Sequence, residues 1–85
     1  MSMIYEIFLE SESDSVLRSL PIDIRKRIVE KLDAAQNNPF HFFVRLKDRS
    51  DYKLRIGAYR VIADIDVATR MIKVTKIGHR KNVYD

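Results

Sequence analysis

The apolar positions of this chain change period near Phe40. The first nine residues are dense in apolar side chains: Ile4, Tyr5, Ile7, Phe8 and Leu9 fall together. Most are β-branched or aromatic, so Met1 to Leu9 predicts a strand. The run is too continuous for alternation, which places that strand inside a sheet or between two layers. "SESD" follows. Ser11 and Asp14 have the spacing of a capping box, so a short helix is expected to begin there, with Val16, Leu17 and Leu20 as its apolar residues. Pro21 then interrupts the chain and suits the first turn of a second helix. Ile24, Ile28, Leu32 and Ala35 recur every three or four residues, while Arg25, Lys26, Glu30 and Lys31 fall elsewhere around the turn. "NNP" at Asn37 to Pro39 ends the pattern. Residues 11–37 therefore predict a helical hairpin with one apolar face.

From Phe40 onward the period is two. Phe42, Val44 and Leu46 share one parity, with Arg45 and Lys47 on the other. "DRSD" at 48–51 reads as a turn. Tyr52, Leu54 and Ile56 then alternate with Lys53 and Arg55, and Gly57–Ala58 permits a reversal. Tyr59, Val61, Ala63 and Ile65 follow, against Arg60, Ile62 and Asp64. A turn across Asp66 to Arg70 leads to a last strand, Met71 to Ile77. Connections this short force antiparallel neighbours. The fold class is α+β: an N-terminal strand, a helical hairpin, and an antiparallel β-meander with the helices packed on one face of the sheet. The other face is left wholly or partly open. Residues 1–85 read as a single domain.

Composition narrows the chemistry. There is no cysteine, so disulfides and thiolate zinc sites are excluded. His41 and His79 are too few and too scattered for a metal site, and no cofactor is signalled. No apolar run approaches the ~18 residues of a membrane span, and the N-terminus lacks the pattern of a signal peptide. The cytoplasm is the expected compartment. The net charge of +4 is unevenly placed, with −2 in residues 1–40 and +6 in residues 41–85. That asymmetry points the second half toward an anion, with nucleic acid the obvious class.

The cations also share an address. Lys53 and Arg55 are two apart and project from one face of their strand. Arg60 follows the Gly57 turn with the parity opposite to Tyr59 and Val61, which returns it to the same open face. Like charges clustered there repel one another. Lysine and arginine also cover solvent faces of sheets and discourage edge pairing, which is the plain alternative. A further set waits at the end of the chain: Arg80 and Lys81 follow Gly78, and Tyr84 stands four residues past Arg80. The "RKR" run at 25–27 reads as the solvated face of a helix. His41 reads as a surface strand residue.

"YKLRIGAYRVIADID" followed by "IGHRKNVYD" resembles the RelE family, within the RelE/ParE superfamily of type II toxins. The likeness spans nearly the whole chain, and "GHRKNVY" is its most specific part. It implies an mRNA interferase, a toxin that enters the ribosomal A site beside ribosomal RNA and cuts the messenger there. It also implies a cognate antitoxin that silences the toxin in a toxin–antitoxin hetero-oligomer. The family's catalytic positions carry over onto Lys53, Arg55, Arg60, Arg80 and Tyr84. Lys53, Arg55, Arg60, Arg80 and Lys81 are the substrate-binding candidates. In two respects the sequence departs from well-known bacterial members. They have lysine where Arg55 stands, and they continue past the tyrosine into another helix.

The residue types suit that chemistry. The 2′-hydroxyl of RNA is its own nucleophile, so a protein need only align attack, move two protons and neutralise the transition state. Arg55, Arg60 and Arg80 offer fixed forks of donors to phosphate oxygens. Nearby arginines should lower the pKa of Lys53 and improve it as a base. Tyr84 can be shifted the same way, or stack on a splayed base. His79 has the parity opposite to Arg80 and ranks behind both as an acid–base group. Two other readings use the same sequence: a ParE-like toxin that poisons gyrase, and a non-catalytic domain that binds RNA or ribosomes.

Overall fold

The helical hairpin forms where the period of 3.6 predicts it. In this computed structural model, which describes residues 4–81, α1 spans Ser11–Ser19 and α2 spans Ile22–Ala35. Pro21 is the N-cap of α2, so its missing N–H costs no helical hydrogen bond. The start of α1 differs from the capping-box expectation. Its N-cap is Glu10, and no side chain caps it; the Asp14 N–H donates to the Glu10 carbonyl at 2.9 Å. Ser11 is therefore already helical. The Asp14 carboxylate instead accepts from Nε of Arg18, one turn on, at 2.9 Å.

Among the described residues, five strands make one sheet in the order β1-β5-β4-β3-β2. They are β1 (Glu6–Leu9), β2 (Val44–Arg45), β3 (Tyr52–Ile56), β4 (Tyr59–Asp66) and β5 (Met71–His79). The pairs β2–β3, β3–β4 and β4–β5 are antiparallel. β1 pairs parallel to β5, with Glu6 opposite Met71 and Leu9 opposite Val74. The sheet is thus mixed, and β1 lies at its edge. This corrects the expectation of a strand inside the sheet or between two layers. The continuous apolar run has another cause: Tyr5 is buried in the core, Ile7 and Leu9 pack against it, and Phe8 points outward, 53% exposed. Residues 1–3 of the expected strand lie outside the described residues.

The second correction falls at the change of period. Phe40 to Phe42 do not form a strand. Pro39–Phe42 is a one-turn helix, α3, with proline in its first turn. His41 is exposed on this helix, and Phe43 turns into the core at 3% exposure. β2 is left with two residues.

Both long helices cover one face. Ile28 and Ala35 of α2 and Leu17 of α1 pack with Leu54, Ile56, Val61, Ala63, Ile72, Val74 and Ile77 of the sheet. α1 lies against β5 and β1, and α2 against β3. A bulge between Ile62 and Ala63 shifts the β4–β5 register, so Lys76 pairs with Ile62 while Val74 pairs with Ala63. Thr75 is the extra residue, and its hydroxyl donates to the Ile62 carbonyl at 3.3 Å. On the opposite face, among the described residues, Leu46 closes over Ile62 and buries it to 2% exposure.

Candidate nucleic-acid interface

The open face gathers its cations by register. Arg55 and Arg60 are direct cross-strand partners on β3 and β4. Residues so placed have Cβ atoms about 4.5–5.5 Å apart. Lys53, two residues before Arg55, stands on the same face opposite Ile62 and Val44. On the other side Arg60 pairs with Gly78 of β5, which sets no side chain beside it. A two-residue turn fixes this register. Gly57 takes φ +58 at the first turn position and Ala58 needs no positive φ, the sign pattern of a II′ hairpin.

Lys53 sits in an apolar frame. Val44 and Ile62 flank it across the sheet, and Leu46 seals Ile62 from solvent. Burial lowers its pKa below the ordinary lysine value, and the charges of Arg60 and then Arg55 push it further down. The charge pattern of the sequence points to the two arginines as the cause. The structure adds desolvation as the larger one. Its signal is Ile62, an apolar residue at open-face parity, and Leu46 is what that residue needs as a cover.

The tail is tied to the hairpin turn. The Arg80 N–H donates to the Ala58 carbonyl at 2.8 Å, which brings Arg80 to the loop between Arg55 and Arg60. The Lys81 N–H donates to Nδ1 of His79 at 3.2 Å. His79 is half-buried on the helix-side face, edge-on to Tyr59 with ring centroids 5.4 Å apart. It packs at the strand end, opposite in parity to Arg80, as its position in the sequence predicts. Arg80 and Lys81 are exposed. Tyr84 lies outside the described residues.

The "RKR" run is only partly a solvated face. Lys26 is exposed, but Arg27 leans toward the hairpin: a Cβ on Gly57 would lie 3.3 Å from its Nη2. Reach of that kind depends on how α2 is set on the sheet, and no local pattern in the sequence carries it.

This α+β fold, with its helices on one face of the sheet, is the fold of RelE toxins. A family model for the ParE toxin of type II toxin–antitoxin systems matches residues 7–84. The chain belongs to that family, within the RelE/ParE superfamily, and has the RelE toxin fold. Among solved structures it is similar to a chain of the archaeal RelE–RelB complex from Pyrococcus horikoshii. Identity there is 26%, with 95% of this chain and 100% of that chain covered and a TM-score of 0.80. The RelBE2 toxin–antitoxin complex of Mycobacterium tuberculosis matches at 21% identity over 91% of this chain and 99% of that one, TM-score 0.79. The intact E. coli RelBE complex matches at 18% identity over 88% and 95%, TM-score 0.78. Comparison with curated proteins gives no match. Among the described residues, no helix is long and apolar enough to cross a membrane.

Proposed function

We propose that this toxin is a ribosome-dependent endoribonuclease that cuts mRNA in the A site and so stops translation. The observation that carries the reading is the convergence of Lys53, Arg55 and Arg60 on one open face, with the pKa of Lys53 lowered. The backbone N–H of Arg80 bonds the Ala58 carbonyl in the turn between Arg55 and Arg60, which supports giving Arg80 a part in the same site. A binding face needs only positive charge. A lysine in an apolar frame beside two arginines is in addition a better base.

In the step proposed, neutral Lys53 takes the proton of the 2′-hydroxyl. The freed oxygen attacks the adjacent phosphorus and the bond to the 5′-oxygen breaks. Tyr84 or a water returns a proton to that oxygen, leaving a 2′,3′-cyclic phosphate and a 5′-hydroxyl. Arg55, Arg60 and Arg80 hold the phosphate oxygens as negative charge builds. Lys81 extends the cationic surface to the flanking backbone.

Structures to which the chain is similar are complexes of a toxin with its antitoxin. A cognate antitoxin is accordingly the proposed regulator, and cytoplasmic ribosomes the proposed target. Primer extension on mRNA from translating ribosomes, with and without the protein, tests the reading. New ends at A-site codons are expected. Intact message with inhibited gyrase would replace this reading by the ParE-like one, and A-site occupancy without cleavage would leave only a binding protein.

A further inference from the structure

A groove lies beside the candidate site, on the other side of Arg55. It measures about 540 Å³ and runs between α2 and the β3–β4 turn, with Arg27, Lys31, Phe42, Arg55 and Gly57 in its walls. Arg27, Lys31 and Arg55 are all exposed, and none makes an ion pair among the described residues. Three cations therefore converge around a glycine. Glu30 is the one acidic residue in the walls, and it leaves the groove cationic. Lys31 Nζ lies 5.6 Å from the centre of the Phe42 ring, so an aromatic surface borders the charges.

The groove is continuous with the site. Arg55 and Phe42 also line a hollow of about 350 Å³ that contains Lys53. Nothing in the sheet blocks the passage, because β2 pairs only with Tyr52 and Lys53, and the rest of β3 has no strand beyond it among the described residues. A chain lying on Lys53 and Arg55 can therefore turn around the edge of β3 and continue along α2. Cations in a row with an interleaved aromatic ring are the composition of a groove that follows single-stranded nucleic acid.

We infer that the groove between α2 and the β3–β4 turn is a second subsite for the phosphodiester backbone of single-stranded RNA, with Arg27 and Lys31 as its phosphate ligands. It rests on the reading of the open face as an RNA site and extends it by naming where the strand goes next. It is independent of base identity, since every interaction it offers is to charge or to a ring face.

The test is fluorescence anisotropy of the full chain with labelled oligouridylates of increasing length, across a salt series. The proteins are the wild type, the double variant Arg27→Ala/Lys31→Ala, Arg60→Ala, and Lys26→Ala as a control from the same helix. Both groove residues are exposed, and circular dichroism verifies that the double variant is folded. The shortest oligomers should bind the wild type and the double variant alike. Longer ones should bind the double variant about tenfold more weakly, with a salt slope shallower by about 0.7 for each phosphate that is no longer neutralised. Lys26→Ala should follow the wild type throughout. A double variant that matches Lys26→Ala at every length overturns the subsite, while weakened binding by Arg60→Ala leaves the main site standing. Wild type and Arg60→Ala indistinguishable at every length would remove the main site and the subsite with it. An equal loss by the double variant toward a poly-glutamate peptide would show general anion attraction and also overturn the inference.

Discussion

The backbone N–H of Lys81 donates to Nδ1 of His79 at 3.2 Å, so the imidazole holds the turn that carries Arg80. The neighbouring bond from the Arg80 N–H to the Ala58 carbonyl fixes the same turn from the other side. His79→Phe keeps an aromatic ring against Tyr59 and removes the acceptor. A hydrogen bond of this kind is worth about 1 kcal/mol. Loss of about fivefold in RNA cleavage is expected, with a fall in Tm of no more than about 4–8 °C. An unchanged rate would show that the turn holds without His79.

Charge at defined positions should matter more than charge in total. Arg60→Ala and Arg80→Ala should each abolish most cleavage, by tenfold or more, since a charge-assisted hydrogen bond to phosphate contributes about 1.5–3 kcal/mol. Lys26→Ala removes one charge from the exposed side of α2 and should change the rate less than twofold. Cleavage assays on translating ribosomes decide it. Equal losses at all three positions would mean diffuse attraction with no defined site.

Lys53 predicts a pH dependence with a definite sign. Burial, then Arg60, then Arg55 lower its pKa from 10.5. If neutral Lys53 is the base, the rate climbs with pH and levels off above a midpoint below 10.5. Arg60→Ala removes the larger of the two charge effects, so the midpoint should move toward alkaline pH; Arg55→Ala should move it less. Stability follows the same shift. Between the lowered pKa and 10.5 the unfolded chain binds more protons than the folded one, so stability should rise with pH in that window. Lys53→Met should lack the rise. Midpoints that stay fixed in both arginine variants would remove Lys53 as the base.

The architecture was legible in the sequence, and so was the common face of Lys53, Arg55 and Arg60; the details of packing were not. Lys53, Arg55 and Arg60 share a face because strand parity is local and a two-residue turn at Gly57 keeps the register. The edge position of β1 was not legible. Its partner β5 is more than sixty residues away, and a parallel pairing over that separation leaves no mark on either strand. The turn Pro39–Phe42 did have a signal, since proline suits the first turn of a helix, but the alternation of Phe42, Val44 and Leu46 outweighed it. Arg27 beside Gly57 and Leu46 over Ile62 depend on packing between elements, which periodicity does not encode.

The core should depend on the face that α2 presents to the sheet. Ile28 is fully buried among helix and strand residues. Ile28→Ala deletes buried methyl groups and leaves a cavity, at a cost of about 2–5 kcal/mol. In a domain of this length each kcal/mol lowers Tm by about 4–8 °C. Ile22→Ala, at a residue 68% exposed, is the comparison and should stay within about 0.5 kcal/mol. Urea denaturation of the two variants measures both. Equal stabilities would contradict the packing of α2 described above.

The final prediction separates cutting from holding. General acid–base groups contribute about 10²- to 10⁴-fold in rate. If Lys53 and Tyr84 move protons, Lys53→Met and Tyr84→Phe should slow cleavage by that order while binding in the A site changes little. Arg80→Ala should weaken both, because its guanidinium serves the ground state as well as the transition state. A message with a 2′-O-methyl group at the cut position completes the comparison. It keeps every phosphate and base and lacks only the nucleophile. It should enter the A site with the toxin and remain whole, while the unmodified message is cut at that position. Its cleavage at the normal place would require an attacking water in place of the 2′-oxygen. The roles given to Lys53 and Tyr84 would then be wrong, even with the toxin fold and the cationic face unchanged.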